Sequence, residues 1–157
     1  MWNQGRLYIR VNIDFIKQYD PELLKKYPDY NGLLRVVSTI VLKTKSGWSK
    51  PRFAIIDTGA HTSILPLTVC EEADAEVIGE YFVRGLVPKE ECILPVKIGW
   101  VCAVILDRFG NRTDELRFRA YLAPTDDVPL IIGFKDLMDK CELQFNSKSL
   151  SGYIETT

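Results

Sequence analysis

The stretch RFAIIDTGAHTSILP, residues 52–66, decides the fold. Its apolar run at 53–56 ends on the carboxylate of Asp57, and the chain becomes apolar again at Ile64. The run is predicted to form a strand that is buried on both faces. Because an unpaired carboxylate at the end of a buried strand costs free energy, Asp57 is a candidate for a chemical role.

The composition is that of an ordinary globular domain. The 157 residues suit one domain, or one domain with an extra arm, and 46% hydrophobic with 26% charged residues provides a real core. A net charge of -1 gives no global attraction to nucleic acid or to an anionic membrane. No window approaches the roughly 20 apolar residues of a membrane span, and residues 1–12 lack the regions of a signal peptide. We therefore expect a cytoplasmic protein without a nucleic-acid or membrane partner.

Cysteine and histidine are too scattered in this chain to predict a zinc site. The cysteines form no C-x-x-C pair, and His61 is the single histidine. We expect no metal or other cofactor, and we expect the cysteines to be reduced, mostly buried thiols. They are Cys70, Cys92, Cys102 and Cys141.

Strands dominate the first part of the chain. Apolar residues alternate with polar ones over residues 7–13, which predicts a half-buried strand. Asp20 before Pro21 predicts the N-cap and the first residue of a short helix on a connection. Residues 33–44 and 48–56 flank the turn residues KSG and predict a hairpin.

The rest of the chain is predicted to contain a second hairpin and further short strands. Segments 81–87 and 92–105 surround the sequence PKEE and predict the hairpin, and alternation over 116–122 predicts a one-sided antiparallel strand. Short helices are expected at 67–73 and 134–140. The remaining strands are expected at 128–133, 141–145 and 150–155. Short antiparallel strands with few helices predict an all-β barrel or sandwich.

Two short motifs together resemble the signature of a known enzyme family. Residues 55–60, IIDTGA, followed by SIL at 63–65, resemble the active-site segment of aspartic proteases. A single copy in a chain of this length resembles the retropepsin-like branch. The segment LIIG at 130–133 is similar to that family's second hydrophobic-hydrophobic-glycine element.

The resemblance covers residues 33–146 and implies a fold. That fold is an all-β acid-protease barrel, closed or open, with short helices, and it works as a retropepsin-like homodimer. The chain is then divided into an N-terminal strand and helix extension, residues 1–32, and a protease domain, residues 33–157.

The resemblance also implies the chemistry. Asp57 and Asp57 of the partner subunit would form a dyad that shares one proton, because two close carboxylates cannot both be ionised. One carboxyl group then serves as acid and the other as base toward a water molecule, without a metal. Thr58 offers a hydroxyl that can bond to the partner's loop, and Gly59 allows a close approach of the backbone. Since the chain contains one D-T-G, the dyad requires a homodimer.

The substrate implied by the resemblance is an extended peptide or an unfolded protein. The hairpin around RGLVPKEEC, residues 84–92, is the candidate flap over the cleft, where the peptide can pair with its backbone. Family subsites are apolar, so bulky apolar side chains are expected beside the scissile bond. The candidate substrate-binding residues are Ala60, His61, Arg84, Gly85, Leu86, Val87 and Ile132.

Two positions depart from the viral members of the family. These members carry an acidic residue where His61 stands and an arginine where Phe134 stands. The contacts between subunits are therefore expected to differ here. The viral flap is also rich in glycine, whereas VRGLVPKEE at 83–91 has one glycine and a proline.

Other functions compete with proteolysis. A non-catalytic dimerisation or peptide-binding module could use the same cleft, although an intact Asp57-Thr58-Gly59 argues against it. A β-rich nucleic-acid-binding domain is the weakest alternative, because the chain lacks charge excess and interleaved basic and aromatic residues. D-T-G alone is also common in turns, and Asp57 as a turn residue is the structural alternative. The lone His61 is more simply a packed or surface residue than a catalyst.

Overall fold

The computed structural model describes residues 8–30, 32–85 and 93–156, and the described chain is predominantly β. The strands are β1 Ile9–Asn12, β2 Asp14–Gln18, β3 Leu33–Thr44, β4 Gly47–Trp48, β5 Arg52–Ile56, β6 Ser63–Leu65, β7 Glu76–Arg84, β8 Ile93–Leu106, β9 Leu116–Leu122, β10 Ile131–Ile132, β11 Glu142–Asn146 and β12 Ser151–Thr156. The helices are α1 Pro21–Lys26, α2 Leu67–Glu72 and a 3₁₀ helix at Met138–Lys140. The all-β prediction is confirmed.

The large sheet closes on itself. Its strands follow the order β2-β3-β5-β10-β6-β9-β8-β7, with β4 beside β3. β3 also pairs with β8, from Thr39 opposite Leu106 to Leu42 opposite Ala103. This pairing completes a ring of β3, β5, β10, β6, β9 and β8. A second sheet, in the order β1-β12-β11, lies outside the ring.

The core fills one face of the ring strands. Buried and less buried residues alternate along β8 and β9, as expected for strands with one face toward a core. The alternation predicted for 116–122 is confirmed, with Phe118 and Ala120 buried. β5 follows the same rule: Ala54 and Ile56 are buried, whereas Phe53 is 74% exposed. The prediction that this strand is buried on both faces is therefore wrong, because its outer face lies on the outside of the ring.

The N-terminal segment is built into both sheets. The half-buried strand predicted over residues 7–13 is present as β1, which pairs with β12, and the strand that follows it, β2, pairs with β3. Val11 and Ile13 are buried in the core. The predicted cap of α1 is confirmed: Oδ1 of Asp20 accepts hydrogen bonds from the first-turn amides of Glu22 and Leu23 at 3.0 and 3.1 Å.

Asp107, at the end of β8, ties this segment to the ring. Its carboxylate accepts hydrogen bonds from the backbone and side-chain amides of both Asn12 and Asn111, and from the amide of Phe109, at 2.9 to 3.0 Å. Burial alone would raise the pKa of Asp107, but these hydrogen bonds outweigh it and lower that pKa to about 2.

The second hairpin and α2 are confirmed, but the helix predicted at 134–140 is wrong. β7 and β8 pair antiparallel from Glu76 opposite Trp100 to Arg84 opposite Ile93. The expected tip, residues 86–92, lies outside the described residues. At 134–140 the chain forms turns and then the short 3₁₀ helix. A regular helix cannot form there because Asp136 has a φ of 66°, in the left-handed region.

The described cysteines are free but only half-buried. They are Cys70, Cys102 and Cys141, whereas Cys92 lies outside the described part of the chain. Neither α1 nor α2 has the length and apolar character that a membrane-crossing helix needs.

Candidate active site

The Asp57 loop, residues 57–62, joins β5 to β6 and arches over the end of β10. β10 lies between these two strands, parallel to β5 and antiparallel to β6. The amide of Asp57 donates a 3.1 Å hydrogen bond to the carbonyl of Ile132, and the amide of Ile55 donates one of 2.9 Å to Leu130. The two motifs identified in the sequence, IIDTGA and LIIG, are therefore neighbouring strands.

Gly133, which follows β10, fits under the arch because it has no side chain. A Cβ atom placed on it would lie 2.6 Å from the carbonyl carbon of Thr62 and 2.9 Å from the carbonyl oxygen of Ala60. Its amide donates a buried 2.9 Å hydrogen bond to Oγ of Ser63. Gly133 thus permits a backbone contact that any other residue would obstruct.

The residues after Gly133 bind the other side of the loop. The amide of Phe134 donates to the carbonyl of Ala60 at 3.0 Å, and the amide of Lys135 donates to the carbonyl of His61 at 2.8 Å. The loop is therefore held by backbone hydrogen bonds from both β10 and the segment that follows it.

The Asp57 carboxylate is oriented by its own loop. Oδ1 accepts a 2.9 Å hydrogen bond from the amide of Gly59, and the carbonyl of Asp57 accepts one of 3.1 Å from Ala60. Oδ2 has no hydrogen-bond partner in the described parts of the chain. Asp57 is half-buried, whereas Thr58 and Gly59 are exposed. The carboxylate is thus fixed in direction and open on one side.

A second apolar cluster lies on the outer face of the same strands. Ile131 pairs with Ile55 on one side and Ile64 on the other. Ile64 belongs to this cluster, while the next residue, Leu65, belongs to the core. The members of the second cluster are Ile64, Ala123 and Val128, with Leu94, Tyr121 and Ile131 packed against them.

The prediction of Ile132 as a substrate-binding residue is wrong. Its side chain is 1% exposed and belongs to the core. The adjacent Ile131 faces the second cluster instead. Because residues 130–132 are all apolar, no alternation in the sequence distinguishes the two faces of this strand.

The hairpin extends from the second cluster. Leu94, on β8, packs against that cluster, and the ring of Tyr81, on β7, stacks on Tyr121 with centroids 6.0 Å apart. Arg84 ends β7, and Gly85 follows it with a φ of 81°. Both are exposed and lie on the hairpin rather than in the Asp57 loop.

Of the other predicted site residues, His61 lies in the Asp57 loop and is exposed, with Nδ1 3.1 Å from Oγ1 of Thr62. Leu86 and Val87 lie outside the described residues.

An ion pair that sequence inspection missed lies behind the loop. Asp136 is buried and accepts hydrogen bonds from Arg119, on β9: 2.7 Å from Nε, 3.1 Å from Nη2 and 3.1 Å from the backbone amide. The Arg119 guanidinium lowers the pKa of Asp136 to about 2. No local pattern reveals this pair, because its members are separated by 17 positions.

A groove of about 560 Å³ lies between α2 and the base of the hairpin, away from the Asp57 loop. Its wall includes Cys70, whose thiol donates a 3.1 Å hydrogen bond to the carbonyl of Leu65. Burial raises the pKa of the Cys70 thiol to about 11, so it is protonated at neutral pH. Residues 57–61 do not line this groove.

The loop presents an acid-base group on a rigid support. Within the described ranges, no group of three or more His, Cys, Asp and Glu side chains is placed to hold a metal ion. No protein-family model matches the sequence, and no curated protein is significantly similar to it. The arrangement of Asp57 over β10 and Gly133 is therefore the observation from which a function can be inferred.

Proposed function

We propose that the protein is an aspartic endopeptidase of the retropepsin-like type. The observation that carries this proposal is the Asp57-Thr58-Gly59 loop arched over β10, with Gly133 fitted beneath it. This arrangement holds a carboxylate on rigid strands, as acid-base catalysis requires. The closed ring of strands is consistent with an acid-protease barrel in residues 33–157, with residues 1–32 as an extension.

The reaction uses one Asp57 from each of two subunits. Each chain contains a single D-T-G, so a two-fold axis beside the loop brings Asp57 and Asp57 of the partner subunit together. The ionised carboxylate removes a proton from water, and the resulting oxygen attacks the peptide carbonyl carbon. The protonated carboxyl group gives its proton to the carbonyl oxygen, which forms a geminal diol. The carboxyl group that took the proton from water then passes it to the amide nitrogen, the C–N bond breaks and the amine leaves. A hydroxyl proton of the diol returns to the dyad, which again shares one proton.

Exposure of the loop supports pairing of two chains. Thr58, Gly59 and His61 are exposed, so the tip of the loop is accessible to a second copy. In the proposed dimer, the Thr58 hydroxyl would bond to the loop of the partner subunit. Phe134 is 41% exposed, which provides apolar surface where viral members carry an arginine.

The second cluster supports an apolar substrate. Ile131 and Ile64 lie on the strands that flank the Asp57 loop, and Leu94 connects them to the hairpin. Ile64 is itself buried, whereas Ile131 and Leu94 are only partly buried and form an apolar wall on the outer face of the ring. An extended peptide with bulky apolar residues at the scissile bond would contact this wall and pair with the hairpin backbone.

The free state of the described cysteines is consistent with a location in the cytoplasm. Cys70, Cys102 and Cys141 are free thiols, and such thiols persist where the environment is reducing. We therefore propose a cytoplasmic protease that requires no cofactor and acts on unfolded protein or peptide.

A peptide-library digest tests the proposal. Wild-type protein should release products that mass spectrometry identifies, with apolar residues at the cleaved bonds, and Asp57→Asn should reduce cleavage at least about a hundredfold. Asparagine retains the Oδ1 acceptor for the Gly59 amide, so circular dichroism and Tm should change little. The exposed Asp29→Asn variant is the matched control and should cleave normally.

Two outcomes would contradict the proposal. Cleavage by Asp57→Asn at the wild-type rate would place the chemistry elsewhere. A folded wild-type dimer that binds the peptides but never cleaves them would identify the non-catalytic module instead.

A further inference from the structure

The Arg119–Asp136 pair has the geometry of a fixed clamp. The guanidinium meets both carboxylate oxygens, through Nε at 2.7 Å and Nη2 at 3.1 Å, while the Arg119 amide adds a third bond. Such bidentate pairs constrain orientation as well as distance. Asp136 is 8% exposed, so its carboxylate is held away from bulk water.

The backbone conformation of Asp136 also indicates that this residue is held in a fixed position. Asp136 has a φ of 66°, a conformation that costs free energy for a residue other than glycine. A residue remains in such a conformation when its surroundings over-determine it. Here the surroundings include three hydrogen bonds from Arg119, and the next residue, Leu137, is anchored in the core.

Asp136 directly follows the two residues whose backbone amides hold the Asp57 loop. The amide of Phe134 bonds to Ala60, and the amide of Lys135 bonds to His61. Any rotation of the segment at 134–136 would move these two donors. The carbonyls that they hold belong to the loop that orients Asp57.

Arg117, on the same strand, shares one aromatic neighbour with Arg119, which is Trp100. The guanidinium carbons of Arg117 and Arg119 lie 4.3 and 4.9 Å from the centroid of its ring. Arg117 also forms a 3.1 Å ion pair with Glu76, the first residue of β7. Of these two arginines, Arg119 is the one that forms hydrogen bonds to the segment after Gly133 in the described chain.

We infer that Arg119 and Asp136 are positioning residues, which fix the Asp57 carboxylate by holding the segment that binds its loop. This inference rests on the proposed protease function for its catalytic consequence. The mechanical part, that the pair restrains the loop, stands on the hydrogen bonds alone.

Kinetics of four variants test the catalytic consequence. Asp136→Asn keeps the size of the side chain and tolerates a positive φ, but it loses the ionic bidentate contact. It should lower kcat roughly tenfold or more while KM changes little, because a misplaced carboxylate slows chemistry more than it weakens binding. Arg119→Gln should have the same effect, and Arg119→Lys, which keeps one charged contact, should recover part of kcat. Arg117→Gln is the matched control and should retain kcat.

Hydrogen exchange tests the restraint without any reaction. In Asp136→Asn and Arg119→Gln, the hydrogen-bonded amides of Phe134 and Lys135 and those of Asp57, Gly59 and Ala60 should exchange about tenfold faster or more. The core amides of β8 should keep their wild-type rates, and Arg117→Gln should leave the loop protected.

The outcomes separate the two proposals. Unchanged loop exchange in Asp136→Asn, or an equal effect from Arg117→Gln, would overturn the clamp even in an active enzyme. Faster loop exchange together with an unchanged kcat would overturn the positioning role. If the wild type shows no Asp57-dependent cleavage, the protease proposal fails, and faster loop exchange would then still establish the restraint.

Discussion

Gly133 and Ala60 face each other so closely that a Cβ atom on Gly133 would lie 2.9 Å from the Ala60 carbonyl oxygen. This contact joins the segment after β10 to the loop that carries Asp57. The neighbours of the added atom are backbone atoms, which cannot move aside as a flexible side chain can.

Gly133→Ala should therefore destabilise the protein by about 1 to 3 kcal/mol, as overpacking does in a tight site. It should also reduce cleavage more than the loss of folded protein explains, because the loop must shift. Urea unfolding and the rate per folded molecule measure the two effects. Gly79→Ala is the matched control, since a Cβ there meets nothing within 4 Å and the residue lies in a strand. Equal behaviour of the two variants would contradict the fitted role of Gly133.

Ile131 and Ile132 should respond in opposite ways to truncation. Ile132→Ala removes a core side chain and should cost about 2 to 5 kcal/mol in the free energy of unfolding. Ile131→Ala should cost less, and it should raise KM or change the preferred residue at the scissile bond, because Ile131 lies on the outer wall. Chemical unfolding and a library digest distinguish them. A larger stability loss for Ile131 than for Ile132 would contradict the assignment of the two faces.

Two buried carboxylates should make the fold sensitive to acid. Hydrogen bonding to Asp107 and the ion pair of Asp136 hold both pKa values near 2, below the ordinary 3.8. Because these folded pKa values are depressed, the stabilisation is complete above about pH 5 and is lost as the pH falls toward 2. Allowing for solvent screening, each contributes about 1 to 2 kcal/mol at pH 7.

Asp107→Asn should accordingly unfold more easily at pH 7 and lose less stability than the wild type between pH 5 and pH 2. Urea midpoints across this range measure the difference, with the exposed Asp29→Asn as control. Parallel pH dependence in Asp107→Asn and the wild type would show that Asp107 does not supply acid-sensitive stability.

Local patterns in the sequence predicted much of this molecule. Alternation identified β9, turn residues identified the hairpins, and Asp20 before Pro21 identified the start of α1. These features depend on neighbours along the chain, which a sequence displays directly. The motifs at Asp57 and Gly133 also marked the two segments that meet in the candidate site.

Features that depend on closure of the ring were not predictable in the same way. Phe53 belongs to an apolar run that is typical of a strand buried on both faces, yet its side chain is exposed. A closed ring of strands has a single inner face, and Phe53 lies on the outer one. The prediction of Ile132 as a substrate-binding residue was wrong for the same reason, since the face on which its side chain lies is set by the partners of β10 on β5 and β6. The helix expected at 134–140 does not form because Asp136 has a positive φ. In that conformation its carboxylate binds Arg119, which is far away in sequence.

A mixed dimer tests most directly the proposal that one reaction site uses Asp57 from two subunits. Wild-type and Asp57→Asn chains with different tags are co-expressed, and the heterodimer is isolated by sequential affinity steps. Native mass spectrometry confirms its composition before the assay and afterwards, so that subunit exchange is detected.

A shared dyad predicts that the heterodimer is inactive, and that the unfractionated mixture retains about a quarter of wild-type activity by random pairing. Independent sites in each chain predict instead that the purified heterodimer retains half of the wild-type activity. That second result would contradict the shared dyad, even if Asp57 proved essential within each chain.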